Sequence, residues 1–354
     1  MEFSALYEEY KEMVVPSYTL KVGGEDIRLG VDVALHRLEC ELTCRREAGS
    51  LYLEAALDEK GENGSRWMKA FQIGAECTLS LGYQKREKEI FSGFLYELSW
   101  NDPLDDGVME LSAVFLDARG RLMTASCADA GSARTLSQLM KAILSQSCCK
   151  GLAGKQKIAD VPKDWDLPAQ RPGVSDYEVV CRAAEFLCYE FYVFGKELYF
   201  GPPRPETGPI LTFKGSRGLV ELKRRRTLAG QCGAIAVSGT DDRGERILSR
   251  QARAKDSGFG AKKMGAALSN DIHQPEPTVH TMAQADYLAK ARMEQRQHRA
   301  GGLSGQCMGV PDLRPGRFIQ VKQLSEPVNG TYYVHTVRHV LDIEGYSTYF
   351  EAED

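Results

Sequence analysis

Four groups of residues have types and spacings that could do chemistry. His335 and His339 lie four apart, a spacing that on a helix would let both imidazoles reach one metal ion. The surrounding pattern is that of a strand, which sets them roughly 13 Å apart at about 3.3 Å per residue, too far to share an ion. They read as structural histidines on a half-exposed strand. Gly151-Leu152-Ala153-Gly154-Lys155 has the outline of a phosphate loop, but its glycine spacing is wrong and Gln156 stands where Ser or Thr should hold magnesium. Asp105/Asp106 and Glu185/Glu190 are carboxylate pairs of the kind glycoside cleavage requires. The first pair sits in a turn, where Asp bonds its own backbone. The second flanks a helix end and reads as solvated. No Gly-x-Ser-x-Gly elbow is present. The sharpest cluster is Lys223-Arg224-Arg225-Arg226. It is open to two readings: a solvated strand end, or a charge cluster at a subunit contact or facing a lumen. Four cations in a row would give salt-dependent phosphate contacts, but no stacking aromatics are interleaved with them, so no specific nucleic-acid partner is expected. Lys262-Lys263 falls in a glycine-rich loop. Trp67, Trp100 and Trp165 are dispersed and suggest core or interface anchors. No catalytic, cofactor-binding or metal-ligating residue emerges.

The ten cysteines form no repeated Cys-x-x-Cys pair, so they suit small apolar core residues better than a zinc site. A net charge of −4 supplies no general attraction to nucleic acid or anionic membrane. No apolar run reaches the roughly 18–20 residues that a bilayer span needs. The stretch Met1–Glu9 is acidic where a signal peptide would be basic and then apolar, so a cytoplasmic location is expected. With 354 residues, two or three domains can each bury a core.

The elements that must position these residues follow from pattern. From residue 16 to about 117, alternating runs (Pro16–Val22, Ser50–Leu57, Cys77–Leu81, Ile90–Trp100, Val108–Leu116) are separated by turn residues such as Gly23-Gly24 and 101–107, which predicts a closed or sandwiched β-domain. Capping boxes at Thr135–Gln138 and Ser175–Glu178 open two amphipathic helices, and Phe191–Phe194 and Leu198–Phe200 flank Gly195-Lys196 as a hairpin. Gly201-Pro202-Pro203-Arg204-Pro205 marks a boundary. Strands are expected again at Ile210–Phe213, Gly218–Arg225 and Ala234–Gly239. A third capping box at Thr281–Gln284 opens the helix Met282–Arg299. Beyond it, Arg317–Lys322 and Thr331–Val340 alternate between the turns Pro315-Gly316 and Asn329-Gly330.

The last seventy residues resemble the C-terminal half of the phage late control gene D proteins, the hub family that includes the N-terminal hub of VgrG. The residues that carry the likeness are Pro315-Gly316, Tyr332, Val334, Val337, Arg338, His339, Gly345, Tyr346, Thr348 and Phe350. Phe71-x-Ile73-Gly74, Leu81-Gly82-Tyr83 and Ile90-Phe91-Ser92-Gly93 resemble its first barrel, and Gln170, Ser175-Asp176 and Arg182 its middle stretch. The resemblance implies a mainly β chain with α+β insertions. Its two tube-like antiparallel β-barrel domains, 1–117 and 206–354, flank a small α/β domain at 118–205, and a segment at about 240–305 is inserted in the second barrel. It further implies a homotrimeric ring without catalysis or cofactor, placed between the inner tube protein and a separate spike protein, with other baseplate proteins around it. Such a chain would be cytoplasmic during assembly and then part of a phage or phage-tail-like particle. The alternative is a tail-associated cell-wall hydrolase with a dispersed site, and a carbohydrate-binding β-protein is a third.

Overall fold

The computed structural model describes residues 1–102, 108–126, 133–161, 165, 174–254, 268 and 270–354. Asp105/Asp106, Gln170 and Lys262-Lys263 therefore lie outside the described residues. The chain begins with helix α1 (Phe3–Glu9) and a 3-10 turn at Lys11–Met13. Strands β1 (Pro16–Val22), β2 (Glu25–Ile27), β3 (Val33–Thr43) and β4 (Ser50–Leu57) precede helix α2 (Glu62–Ala70). Strands β5 (Glu76–Tyr83), β6 (Arg86–Asn101) and β7 (Met109–Asp117) follow. A helical stretch comes next, with α3 (Ala118–Thr124), α4 (Leu136–Leu144) and α5 (Ser147–Leu152), then β8 (Lys155–Ile158), α6 (Asp176–Leu187), β9 (Glu190–Phe194) and β10 (Glu197–Gly201). The remainder runs β11 (Pro209–Lys214), β12 (Leu219–Arg226), β13 (Ala234–Thr240), β14 (Arg246–Ala252), β15 (Asp271–Pro275), α7 (Met282–His298), β16 (Gly301–Met308), β17 (Arg317–Lys322), β18 (Gly330–Asp342) and β19 (Gly345–Glu353).

The protein is mainly β, built on one 13-stranded sheet in the order β12-β16-β19-β18-β3-β4-β7-β6-β5-β1-β2, with β17 and β11 branching from β18. Alternation explains its two faces. On β4, Leu51, Leu53, Ala55 and Leu57 are buried while the residues between them are half-exposed. On β7, Leu111, Ala113 and Phe115 do the same.

β18 makes the sheet continuous. Its first part, Gly330–Val334, pairs with β17, and its second, Thr336–Asp342, pairs with β3 from the other half of the chain. The register against β19 shifts between Val334 and Thr336, so His335 sits in a bulge where the strand changes partners. A bulge bends a strand and sharpens its twist, which allows one strand to serve two neighbours on the same side. The turns behave as their residues suggest. Gly316 takes φ +78°, and a Cβ there would lie 2.4 Å from the Tyr192 hydroxyl, while Gly345 takes φ +114° at the β18–β19 tip.

One hydrophobic core spans both halves of the sheet, joining Leu38, Leu53 and Phe115 to Leu303, Ile319, Val337 and Phe350. α1 packs into the later half. Phe3 stacks on Phe213 at 5.7 Å between ring centroids, the Met1 amine donates to Ile210 O at 3.0 Å, and Tyr10 donates to Asp312 at 2.7 Å. A second core lies under α4, α6, β9 and β10 and includes Val180, Leu187 and Phe200. β13, expected among the strands of the second barrel, pairs instead with β14 and β15, and with α7 it closes over this second core through Ile235, Val237, Leu288 and Met293. The reason is its burial: Ala234–Val237 are buried in succession, as a strand covered on both faces requires. Among the described residues, Cys40, Cys44, Cys77, Cys149, Cys181, Cys188, Cys232 and Cys307 are buried. No helix among the described residues is long and apolar enough to cross a membrane.

Candidate functional site

The Lys223–Arg226 run forms the end of β12, the first strand of the large sheet, whose single strand neighbour among the described residues is β16. Period-two geometry splits the run. Arg224 turns inward: it donates to Gly302 O at 3.0 Å, meets the Asp354 carboxylate at 2.7 Å and lies 5.2 Å from the Tyr332 ring centroid. Its side chain is 9% exposed, so this cation is structural. Lys223, Arg225 and Arg226 are exposed. Lys223 opens onto a groove with Glu41, Glu221, Arg338 and Glu351 from four strands. The cluster is thus one internal tie plus three outward charges on a strand edge, in acidic company.

A buried ion pair, silent in the sequence, fastens the small α/β unit to the sheet. Asp117 caps α3 by accepting from Arg119 N at 2.8 Å, and its other oxygen accepts from Gly49 N at 2.7 Å. Arg119 Nη2 donates to Asp117 at 2.8 Å, while Nη1 donates to Phe191 O at 2.9 Å and Arg45 O at 3.3 Å. Both side chains are essentially unexposed. A buried pair is stabilising only when its remaining donors are met, and here the backbone carbonyls of β9 and the loop after β3 meet them.

Beside it lies a cleft of about 610 Å³, lined by the loop after β3, the ends of α6 and β9, Arg204, and the α7 face that carries Tyr287, Glu294 and His298. Glu190, expected to be solvated, is half-buried in this cleft and accepts from the Tyr333 hydroxyl at 2.6 Å. Burial pushes its carboxyl up to about 8, the negative charge of Glu353 adds to this, and the Tyr333 hydrogen bond and Arg204 oppose it. Arg204 donates to Glu353 at 3.2 Å and lies 5.0 Å from the Tyr333 ring centroid. His298 Nδ1 donates to Asp354 O at 2.7 Å, and burial lowers its imidazole below the usual range. The two histidines of β18 are buried, not half-exposed. His335 contacts Arg45 at 2.9 Å and is pushed down to about 3, and His339 contacts the Tyr346 hydroxyl at 2.9 Å and is pushed down to about 4, burial being the main cause in both. The protonated Glu190 carboxyl is a proton donor in principle. Glu353, the carboxylate that acts on it, is occupied by Arg204. What the groups do together is lock β9, β18, β19, α7 and the 202–204 loop against one another. Among the described residues, no group of three or more His, Cys, Asp or Glu side chains could hold a metal ion.

The basic cluster and Glu190 were visible in sequence, the latter as a solvated carboxylate, whereas the roles of Arg119 and Arg204 were not. Glu190 and Arg204 take their partners from distant segments (Tyr333 is 143 positions from Glu190). Arg119 lies two positions from Asp117 but also donates to the carbonyl of Phe191, 72 positions away, so no local spacing marks these roles.

No family model and no curated protein sequence matches this chain. Its fold is similar to that of the tail protein from Neisseria meningitidis MC58, with a TM-score of 0.72 and 13% identity over 96% of this chain and 97% of that one. The 43 kDa tail protein of prophage MuSo2 from Shewanella oneidensis gives 0.68 and 13% identity over 96% and 100% of the two chains. The E. coli c3393 protein gives 0.58 and 12% identity over 94% of this chain and 76% of that one. It is described as a type VI secretion component with structural similarity to the T4 tail proteins gp27 and gp5. At these identities the likeness is one of fold.

Proposed function

We propose that the chain is a baseplate hub of a contractile phage tail or phage-tail-like injection system. In this reading three copies form a ring that adapts the sixfold inner tube to a separate central spike, with other baseplate proteins around it. The observation that carries the reading is the sheet that runs through both halves of the chain across β3 and β18. Each half then offers one tube-like face, 1–117 and 206–354, with 118–205 as the small unit at their junction. Three chains offer six faces, which matches a sixfold tube without catalysis or cofactor. A mass near three times 39.3 kDa by light scattering, alone or with the spike, is the expected result. A strict monomer under both conditions overturns it.

One observation favours the hydrolase: Glu190 keeps its proton near neutral pH inside a cleft. That reading requires wall degradation by the purified protein and its loss in Glu190→Gln. The hub requires neither.

A further inference from the structure

The main path of the 13-stranded sheet ends at β12 and β2, with a further edge at β11 on the branch, and the two ends of the path carry opposite charge. An open antiparallel sheet presents a row of unpaired backbone N–H and C=O groups along each outer strand, a template for another strand. At the β12 end the exposed side chains Lys223, Arg225 and Arg226 flank that row. At the other end β2 places Glu25 and Asp26 on its three residues. Their present counter-ions are loose: Arg66 approaches Glu25 only to 4.0 Å, and the Arg28–Asp26 pair at 2.8 Å is solvent-exposed. Exposed pairs of this kind contribute about 0–1 kcal/mol, so exchanging partners costs little. Each end also exposes apolar surface, Val220 on β12 and Leu29 and Val31 just after β2.

The chain already contains a junction of the same chemistry. Where β18 meets β3, the later half of the chain joins the earlier one strand to strand, and Arg338 of β18 donates to Glu39 of β3 at 3.3 Å. There the later half brings the cation and the earlier half the carboxylate. The free ends have the same polarity.

We propose that the β12 edge of one copy adds to the β2 edge of the next, extending the sheet from chain to chain with Lys223 and Arg225 beside Glu25 on one face and Arg226 beside Asp26 on the other. Such a contact is head-to-tail, and it closes into a ring when the rotation between copies permits. The inference rests on the hub reading for the ring and adds to it the two edges that build it. Because the charges are exposed, association weakens as salt rises.

The test is a charge exchange read by light scattering and sedimentation. Lys223→Glu with Arg225→Glu, and separately Glu25→Lys, should each weaken self-association at least tenfold. A chain that carries all three substitutions should recover the wild-type mass, since every seam of a three-membered ring then again joins opposite charges. That recovery also shows that the substituted edges fold. If either variant fails to fold, the neutral pair Lys223→Gln and Arg225→Gln replaces it and must weaken association. Variants that keep the wild-type oligomeric mass overturn these edges and leave the hub reading standing. A wild-type chain that stays monomeric with and without the spike overturns both.

Discussion

Glu190 and the two histidines of β18 titrate in opposite senses, and the sign of each sets a pH profile. The histidines ordinarily titrate near 6.5 and are pushed down to about 3 and about 4 in the fold. Between those values and 6.5 the unfolded chain binds protons that the folded chain refuses, so stability falls as pH falls through that window, by about 1.4 kcal/mol per unit for each fully shifted group. Glu190 is raised from 4.5 to about 8, so its stabilisation is complete below 4.5 and is lost as pH rises toward 8. Two rising contributions outweigh one falling contribution below 6.5, and above it only the falling one remains. The urea midpoint should therefore peak near pH 6.5. His339→Leu should make the acid limb shallower, and Glu190→Gln should flatten the limb above 6.5. A midpoint that does not move between pH 4 and pH 8 would refute the assignment. Residue chemistry of this kind was hidden in the sequence because it depends on burial. Glu190 reads as a solvated helix-end carboxylate until Tyr333 is brought to it, and His335 reads as half-exposed until the bulge turns it inward.

Helices and hairpins were legible wherever the local chemistry was complete. Thr135, Ser175 and Thr281 each accept the hydrogen bond of a helix N-cap, and at Thr281 the Gln284 side chain closes the reciprocal bond. Pro315-Gly316 and Gly345 turn the chain as their types require. α1 and α2 escaped notice because they begin at Glu2 and Gly61, neither of which makes a side-chain cap. α1 is held by its docking surface, with Phe3 against Phe213 and close over Gly218. Phe3→Ala should destabilise the protein by about 3–5 kcal/mol, the usual cost of removing a buried phenylalanine ring. The loss is read as a lower urea midpoint with an unchanged m-value. A change below about 1 kcal/mol would show that the helix is an appendage.

At the scale of the molecule, the pairing of β3 with β18 joins the two halves strand to strand, and the Asp117–Arg119 tie fastens the α/β unit to the first of them. Residues 293 positions apart share a hydrogen bond at Thr43 and Thr336, a juxtaposition that alternation within either strand does not encode. That is why the strand that belongs to both halves was not legible in the sequence. The chain should unfold in one step, with β-sheet circular dichroism and tryptophan fluorescence from Trp67 and Trp165 superimposing in urea. Separate midpoints would mean that the two cores come apart independently. The N-terminal helix has a consequence for how the protein is made. Its partner on β11 lies 209 positions downstream. At roughly 5–20 residues per second, the ribosome needs about 10–40 s to deliver that surface after Met1 has emerged. The helix is therefore made well before the surface it docks on. Through that interval Phe3 and Leu6 stand exposed on the nascent chain, an apolar pair that a chaperone would cover.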